Sequence, residues 1–352
     1  MKQISVNLNK NYDIFLGAGI LAERLLNIDF LEATKVMVVT DATVYKLYYE
    51  EVLAVLKKRK VKVFCHAVKG GEQSKSLKDY SRLLNTLAKH EFTRKDLIIA
   101  LGGGVVGDLA GFTAGTFLRG INYIQCPTTL LSMVDSSVGG KTGINLTKGK
   151  NLVGVFKQPL AVIADARLLS TLTQSEFKNG MGEVVKYEIL FGGGFKREDL
   201  ENPSENMLEE IIEFSINCKK KIVEKDEHES GERKLLNLGH TFAHAIEKIF
   251  NFSVPHGFAV IAGIKYILEV SKRLNVLKSG EEEKILNLLK ASHDKLDYLN
   301  STPPKTVLNA IKSDKKSARG KITLVLIEEI GKCKLHDISF KELGDLLPWI
   351  QK

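Results

Sequence analysis

The 352-residue chain is 44% hydrophobic and 26% charged, proportions that exclude a disordered or fibrous chain, and its length points to about two domains. Its 51 basic and 42 acidic residues leave a formal charge of +9, but the lysines are spread out, with only short clusters such as Lys219-Lys220-Lys221. The excess therefore suits a small anionic ligand and a basic solvated surface, with no nucleic-acid or membrane partner. Cys65, Cys126, Cys218 and Cys333 stand far apart without a C-x-x-C, which argues against a zinc knuckle or disulfide framework and fits a cytoplasmic protein.

The N-terminus lacks the apolar core of a signal peptide, and charges such as Asp108 and Arg119 interrupt the most apolar stretches, against a membrane span. Residues 3–8 and 12–16 alternate polar and apolar about an Asn-Lys-Asn turn and read as a short hairpin. Short apolar runs follow at 35–41, 61–68, 96–102 and 122–127, with helical periodicity at 43–59 and 76–90. Strand and helix in alternation imply a parallel sheet covered on both faces.

After the run ending at 102 comes GGGVVGD, opening an apolar helix through Leu118. Gly102, Gly104 and Gly107 satisfy G-x-G-x-x-G with a strand before and a helix after, so backbone amides can approach a pyrophosphate at the helix N-terminus. An ordinary tight strand-to-helix turn is the plainer alternative. The acid that normally binds ribose about twenty residues downstream is missing, and Asp41, ending an earlier strand, is the candidate substitute. Residues 128–151 set Asp135, Lys141, Lys150 and Asn151 among glycines and other small residues, a composition that lets backbone approach a ligand while lysines supply point charges for phosphate or carboxylate.

Beyond about residue 172 strand signals nearly vanish, and amphipathic segments occupy 174–190, 205–227, 235–250, 257–274 and 281–292. The expected organisation is an α/β nucleotide-binding domain with a Rossmann-like parallel sheet at 1–172, then a mainly α-helical metal- and substrate-binding domain at 173–352. A polar connector at 194–206 and a late hairpin at 321–338, turning at Ile330-Gly331, interrupt the helices. Within LLNLGHTFAHAIE, 235–247, His240 and His244 are four apart on one helical face, and His256 follows in Pro255-His256-Gly257. That is metal-ligand spacing, for which a divalent ion needs a third protein ligand and an open position. Glu183, in NGMGEVVKYEIL, is the best upstream carboxylate. Spacing alone does not choose between His244 and His256 as the partner of His240, and a partly buried polar stripe remains the plain reading of the pair.

GGEQSK at 70–75, GGGVVGDLAGF at 102–112, FLRG at 117–120, PTTLLSMVDSSVGGKTGIN at 127–145, GKN at 149–151, GEVVKY at 182–187, LNLGHTFAHAIE at 236–247, PHG at 255–257 and DKK at 314–316 together resemble the 3-dehydroquinate synthase family. The resemblance covers nearly the whole chain. It implies an N-terminal nucleotide-binding domain, a helical C-terminal domain and an active site in the cleft between them, with NAD oxidised again within each turnover. It implies one divalent metal, zinc or cobalt, on Glu183, His240 and His256. NAD would contact Asp41, Glu72, Lys75, Gly104, Val105, Val106, Gly107, Asp108, Thr128, Thr129, Lys141, Lys150, Leu168, Leu169, Ser170, Thr171 and Asn179. A small anionic sugar-acid phosphate would meet Arg119, Asp135, Lys141, Asn151, Lys186, Lys219, Arg233, Asn237, His244, His256 and one of Lys315 and Lys316. Lys141, Glu229, His244, Asn151 and Arg119 form the implied catalytic set, and a homodimer is the default assembly. Phe258 departs from the pattern, standing where relatives commonly carry an acid, with retuned surroundings of the ligand and no lost activity expected. The rivals are a sister cyclase such as 2-deoxy-scyllo-inosose synthase, a metal-dependent glycerol or alcohol dehydrogenase, and, with little in the sequence to support it, a basic nucleic-acid-binding protein.

Overall fold

β-Branched and aliphatic runs bounded by glycine, proline and polar turns form the strands of the first half of the chain. These are β1 (Lys2–Val6), β2 (Tyr12–Gly17), β3 (Lys35–Asp41), β4 (Lys62–Val68), β5 (Leu97–Gly102), β6 (Asn122–Pro127), β7 (Lys141–Leu146), β8 (Gly149–Phe156) and β9 (Ala161–Asp165). The computed structural model describes residues 1–30, 32–314 and 320–348. Seven of the strands make one sheet in the order β1-β2-β9-β6-β5-β3-β4, antiparallel only between β1 and β2. Helices α1 (Leu21–Asn27), α2 (Ala42–Lys58), α3 (Leu77–Lys89) and α4 (Gly104–Thr116) alternate with these strands, and Met37, Val39, Ile98, Leu83, Leu109 and Phe112 share one buried core. This is the Rossmann-like arrangement expected of the alternation.

Two elements of this unit differ from the expectation. The glycine-rich stretch after 128, whose composition gave no strand signal, contains the antiparallel hairpin of β7 and β8, in which Gly143 faces Gly154. Its glycines thus serve cross-strand packing as well as any ligand approach. Strand β9 is central and wholly buried between β2 and β6. A five-residue apolar run after a proline carries no alternation by which to recognise it.

The chain divides into two compact units, Met1–Thr173 with Lys219–Glu224, and Gln174–Cys218 with Lys225–Lys352. The second is built of α5 (Gln174–Phe191), α6 (Arg197–Glu201), α7 (Glu205–Lys225, whose later part belongs to the first unit), α8 (His240–Ile249), α9 (His256–Arg273), α10 (Glu281–Leu289), α11 (Pro304–Asp314) and α12 (Phe340–Leu346). Hairpin β10 (Lys321–Glu329) and β11 (Lys332–Ser339) turns at Gly331, whose φ is +84°. The expected polar connector holds the short helix α6, and the segment expected as one helix over 235–250 is broken. A 3-10 turn, Glu232–Asn237, comes first, and α8 starts only at His240, after Gly239 with φ +78°. The break is steric. A Cβ at Gly239 would stand 2.7 Å from the Val260 carbonyl oxygen, so α8 and α9 approach too closely there for any larger residue. Among the described residues, no helix is long and apolar enough to cross a membrane.

Candidate active site

Three helices of the second unit bring Glu183, His240 and His256 together, with one ligand atom from each within 4.8 Å of the others. Helix α5 carries Glu183, 0% exposed, and α9 begins with His256. These helices touch through glycine, since a Cβ at Gly257 would lie 1.8 Å from the Asn179 carbonyl oxygen. Asn179 Oδ1 accepts from the Gly257 N–H at 2.7 Å and so satisfies an amide at the start of α9. His256 Nε2 lies 3.3 Å and His240 Nε2 3.7 Å from Glu183 Oε1.

The other ring nitrogens face acceptors. His240 Nδ1 is 3.1 Å from the Leu238 carbonyl oxygen and His256 Nδ1 is 3.4 Å from Glu247 Oε1. Each Nδ1 faces an oxygen acceptor, which leaves each Nε2 on the side of the Glu183 carboxylate, where a cation would take its lone pair. Two imidazole nitrogens and a carboxylate form the donor set of a catalytic zinc-type site that keeps an open position. The residues present fit such a cation. Lys186, buried, makes an ion pair with Glu183. Burial drives the His240 pKa down to about 3 against the opposing pull of Glu183, with Lys186 adding to the fall. Burial also opposes charge on His256, but hydrogen bonds to Glu183 and Glu247 outweigh it and push the pKa up to about 10. A cation would therefore displace a proton held by His256.

His244 follows one turn after His240, their rings 5.6 Å apart, and is not a member of the three-residue group. Phe258, in place of an acid, is buried and stacks on His293 at 4.2 Å, while His293 Nε2 meets the Tyr298 hydroxyl at 3.0 Å. In the loop before α8, Arg233 is 1% exposed and donates to the Glu227 carbonyl, and Asn237 Nδ2 donates to Glu229 Oε1 at 2.9 Å. Asp226 ties this loop by accepting from Ser230, Gly231 and Arg233 amides at 2.9, 2.7 and 3.0 Å. Sequence reasoning missed both Asp226 and Glu247. Glu247 was detectable, because it lies three residues after His244 and seven after His240, on the same helical face.

In the first unit, the turn from β5 into α4 has no side-chain cap at Gly103, which leaves the first amides of α4 for a ligand. A Cβ at Gly104 would meet Ser136 Oγ at 3.0 Å and one at Gly107 would meet Gln125 Oε1 at 2.9 Å, so Val105 and Val106 are framed by two closely packed glycines. The buried Thr128 hydroxyl has no hydrogen-bond partner among the described residues, and the Thr129 hydroxyl pairs with Ser132 Oγ at 2.8 Å. An uncapped helix start beside an unsatisfied buried hydroxyl fits a diphosphate.

Lys75 forms an ion pair with Asp108, whose carboxyl is pushed up by burial against the opposing pull of Lys75. Glu72 accepts from Asn145 Nδ2 at 2.7 Å, and Asn145 Oδ1 accepts from the Asn151 amide at 2.9 Å. Asn151 has φ +54°, and Lys141 and Lys150 sit on β7 and β8. Lys219 Nζ donates to Asp135 Oδ1 at 2.8 Å. Arg119 has φ +68° and lies at the surface between Leu118 and Gly120, which are also at positive φ. Leu168 and Thr171 pair with the Tyr48 hydroxyl in a 3-10 turn that includes Leu169 and Ser170. Asp41 caps α2, accepting from Thr43 and Val44 amides. Asn179 belongs to the second unit, whereas the other expected NAD contacts belong to the first. Lys315 and Lys316 lie outside the described residues.

The chain matches the family model 3-dehydroquinate synthase N-terminal over residues 65–179 and the model 3-dehydroquinate synthase C-terminal over 180–317. It is 41% identical over 350 residues to the 3-dehydroquinate synthase of Clostridium acetobutylicum, covering 97% of this chain and 98% of that one. It is 39% identical to that of Clostridium kluyveri, covering 99% of each. A solved 2-deoxy-scyllo-inosose synthase, complexed with carbaglucose-6-phosphate, NAD+ and Co2+, matches with a TM-score of 0.87 at 26% identity, over 98% of this chain and 99% of that one. The Rossmann-like sheet followed by a helical unit with a metal-type donor set is the architecture of a sugar-phosphate cyclase. Within that class, the chain belongs to the 3-dehydroquinate synthase family.

Proposed function

We propose that this chain converts 3-deoxy-D-arabino-heptulosonate 7-phosphate to 3-dehydroquinate and phosphate. The observation that carries the reading is the meeting of Glu183, His240 and His256 in a chain that belongs to this family along its length. Incubation of the pure protein with that substrate, a divalent metal and a catalytic amount of NAD, followed by measurement of phosphate and cyclic product, tests it. Absence of both products overturns it.

When bound, the metal would supply Lewis-acid chemistry that lowers the pKa of a substrate hydroxyl, and NAD would supply reversible hydride exchange. Glu183, His240 and His256 hold the metal; Lys186 and His244 stand on the substrate side. Arg119, Lys141, Lys219 and Asn151 orient and neutralise the phosphate, with Asp135 fixing the Lys219 ammonium. Arg233 presents a planar fork for the carboxylate, and Asn237 holds Glu229 beside it. Lys141, Glu229 and His244 are the groups placed to hold or move protons at substrate oxygens. The turn opening α4, with Thr128, Thr129, Lys75, Lys150 and Asp41, receives NAD. A homodimer in the cytoplasm is the finer part of the proposal, and sedimentation of the purified chain tests its assembly.

The likeness to 2-deoxy-scyllo-inosose synthase favours one second reading, a cyclase acting on a sugar phosphate without a carboxylate. Arg233 argues against it, since the planar two-pronged guanidinium matches a carboxylate that such a sugar phosphate lacks. Turnover of glucose 6-phosphate in place of the sugar acid would reverse the choice.

A further inference from the structure

We infer that Glu247 is a positioning residue for the metal group, holding His256 by its Nδ1 so that Nε2 faces the cation. The inference rests on the reading that Glu183, His240 and His256 bind a divalent ion. Glu247 is 3% exposed, and His256 lies between two carboxylates, with Nε2 3.3 Å from Glu183 and Nδ1 3.4 Å from Glu247. Helix α8 thereby serves the group twice on one face: His240 supplies a ligand, and Glu247, seven residues later, orients the ligand of the next helix.

The turn between α8 and α9 reinforces that role. Asn251 and Phe252 both take positive φ there, 50° and 59°, and the Phe252 amide donates to the Glu247 carbonyl oxygen at 2.6 Å. Backbone and side chain of one residue thus fix both the reversal of the chain and the ring that follows it. The two imidazoles are not equivalent, because His240 leans on the neutral Leu238 carbonyl whereas His256 leans on a carboxylate. An anionic acceptor raises ligand basicity as well as fixing the tautomer.

The test is zinc affinity by chelator competition, together with the visible spectrum of the Co2+-loaded protein and thermal unfolding with and without zinc. Glu247→Gln keeps the shape and an acceptor oxygen but removes the charge. It should weaken zinc binding by roughly ten- to a hundredfold, shift the cobalt bands and shrink the rise in Tm on adding zinc. Glu247→Ala, which also removes the acceptor, should weaken binding further; if it does not fold, the glutamine variant decides alone. Unchanged zinc affinity and an unchanged cobalt spectrum overturn the inference, as does an equal loss of Tm with and without zinc, the mark of a merely structural role. A wild-type protein that binds no zinc, or a His256→Ala variant that binds it as tightly, overturns the metal reading itself and the role of Glu247 with it.

Discussion

Glu183 is the residue on which the metal group converges, because both imidazoles direct Nε2 to its carboxylate while Lys186 pairs with the same group. Glu183→Ala, His240→Ala and His256→Ala should each emerge metal-poor with nearly all turnover lost, whereas His244→Ala should retain metal and lose rate. Metal content of the purified variants checks this, and a metal-free His244→Ala beside a loaded His256→Ala would restore the simple helix pair that the sequence first suggests. Arg233→Lys replaces two parallel hydrogen bonds with one point charge, at a cost of about 1.5–3 kcal/mol for a charge-assisted bond. Substrate affinity should fall by roughly one to two powers of ten, read as a raised KM, and an unchanged KM and kcat would remove Arg233 from the site. Asp96 presents a different kind of residue-scale effect. Burial alone would raise its pKa, but donors from Thr93, Lys35 and Thr34 outweigh this and hold it low. A depressed folded pKa gives stability that is present above the unfolded value, about 3.9, and lost as pH falls through the folded one. Asp96→Asn should therefore lower Tm at neutral pH, with a difference from wild type that narrows below about pH 4.

Helix α8 shows what packing adds to pattern. Apolar spacing over 235–250 reads as one helix, yet the chain turns at Gly239 because α9 lies against it, and a Cβ at Gly263 would stand 2.1 Å from the Gly239 carbonyl oxygen. Gly239→Ala should destabilise the protein by at least about 1–3 kcal/mol, the usual cost of overpacking, with backbone strain at positive φ added. Denaturant unfolding measures it, and a loss below about 0.5 kcal/mol, the usual range for an uncritical surface change, would refute the close approach. The same contrast separates what was legible from what was not. Strands β3, β5 and β6 and helices α2 and α3 were visible, since their apolar residues keep one period between turn residues. Strand β9 and the β7–β8 hairpin were not, because a short buried strand has no alternation and glycines opposite each other imitate a loop. At the site, His240 and the glycines after β5 stood out by local spacing. Spacing within one helix could not choose His256 over His244; the family resemblance implied His256, and the crossing of α5, α8 and α9 is what brings it to Glu183 and His240.

Taken as a whole, the chain devotes one unit to a nucleotide-type turn and the other to a metal-type donor set, a division shared by an enzyme that borrows hydride and by one that releases NADH. The balance of NAD separates them. If hydride is taken at one step and returned at a later one, protein supplied with far less NAD than substrate should convert all the substrate, with NADH absorbance failing to accumulate in the steady state. A dehydrogenase exhausts the cofactor after one equivalent. The residues favour the first outcome, because Arg119, Lys141 and Lys219 all belong to the first unit, a set of cations suited to a substrate phosphate, for which oxidation of a small alcohol has no use. Simultaneous recording of phosphate and absorbance distinguishes the two. Release of one NADH per substrate consumed, without free phosphate, would overturn the cyclase reading and make the chain a metal-dependent dehydrogenase on the same fold.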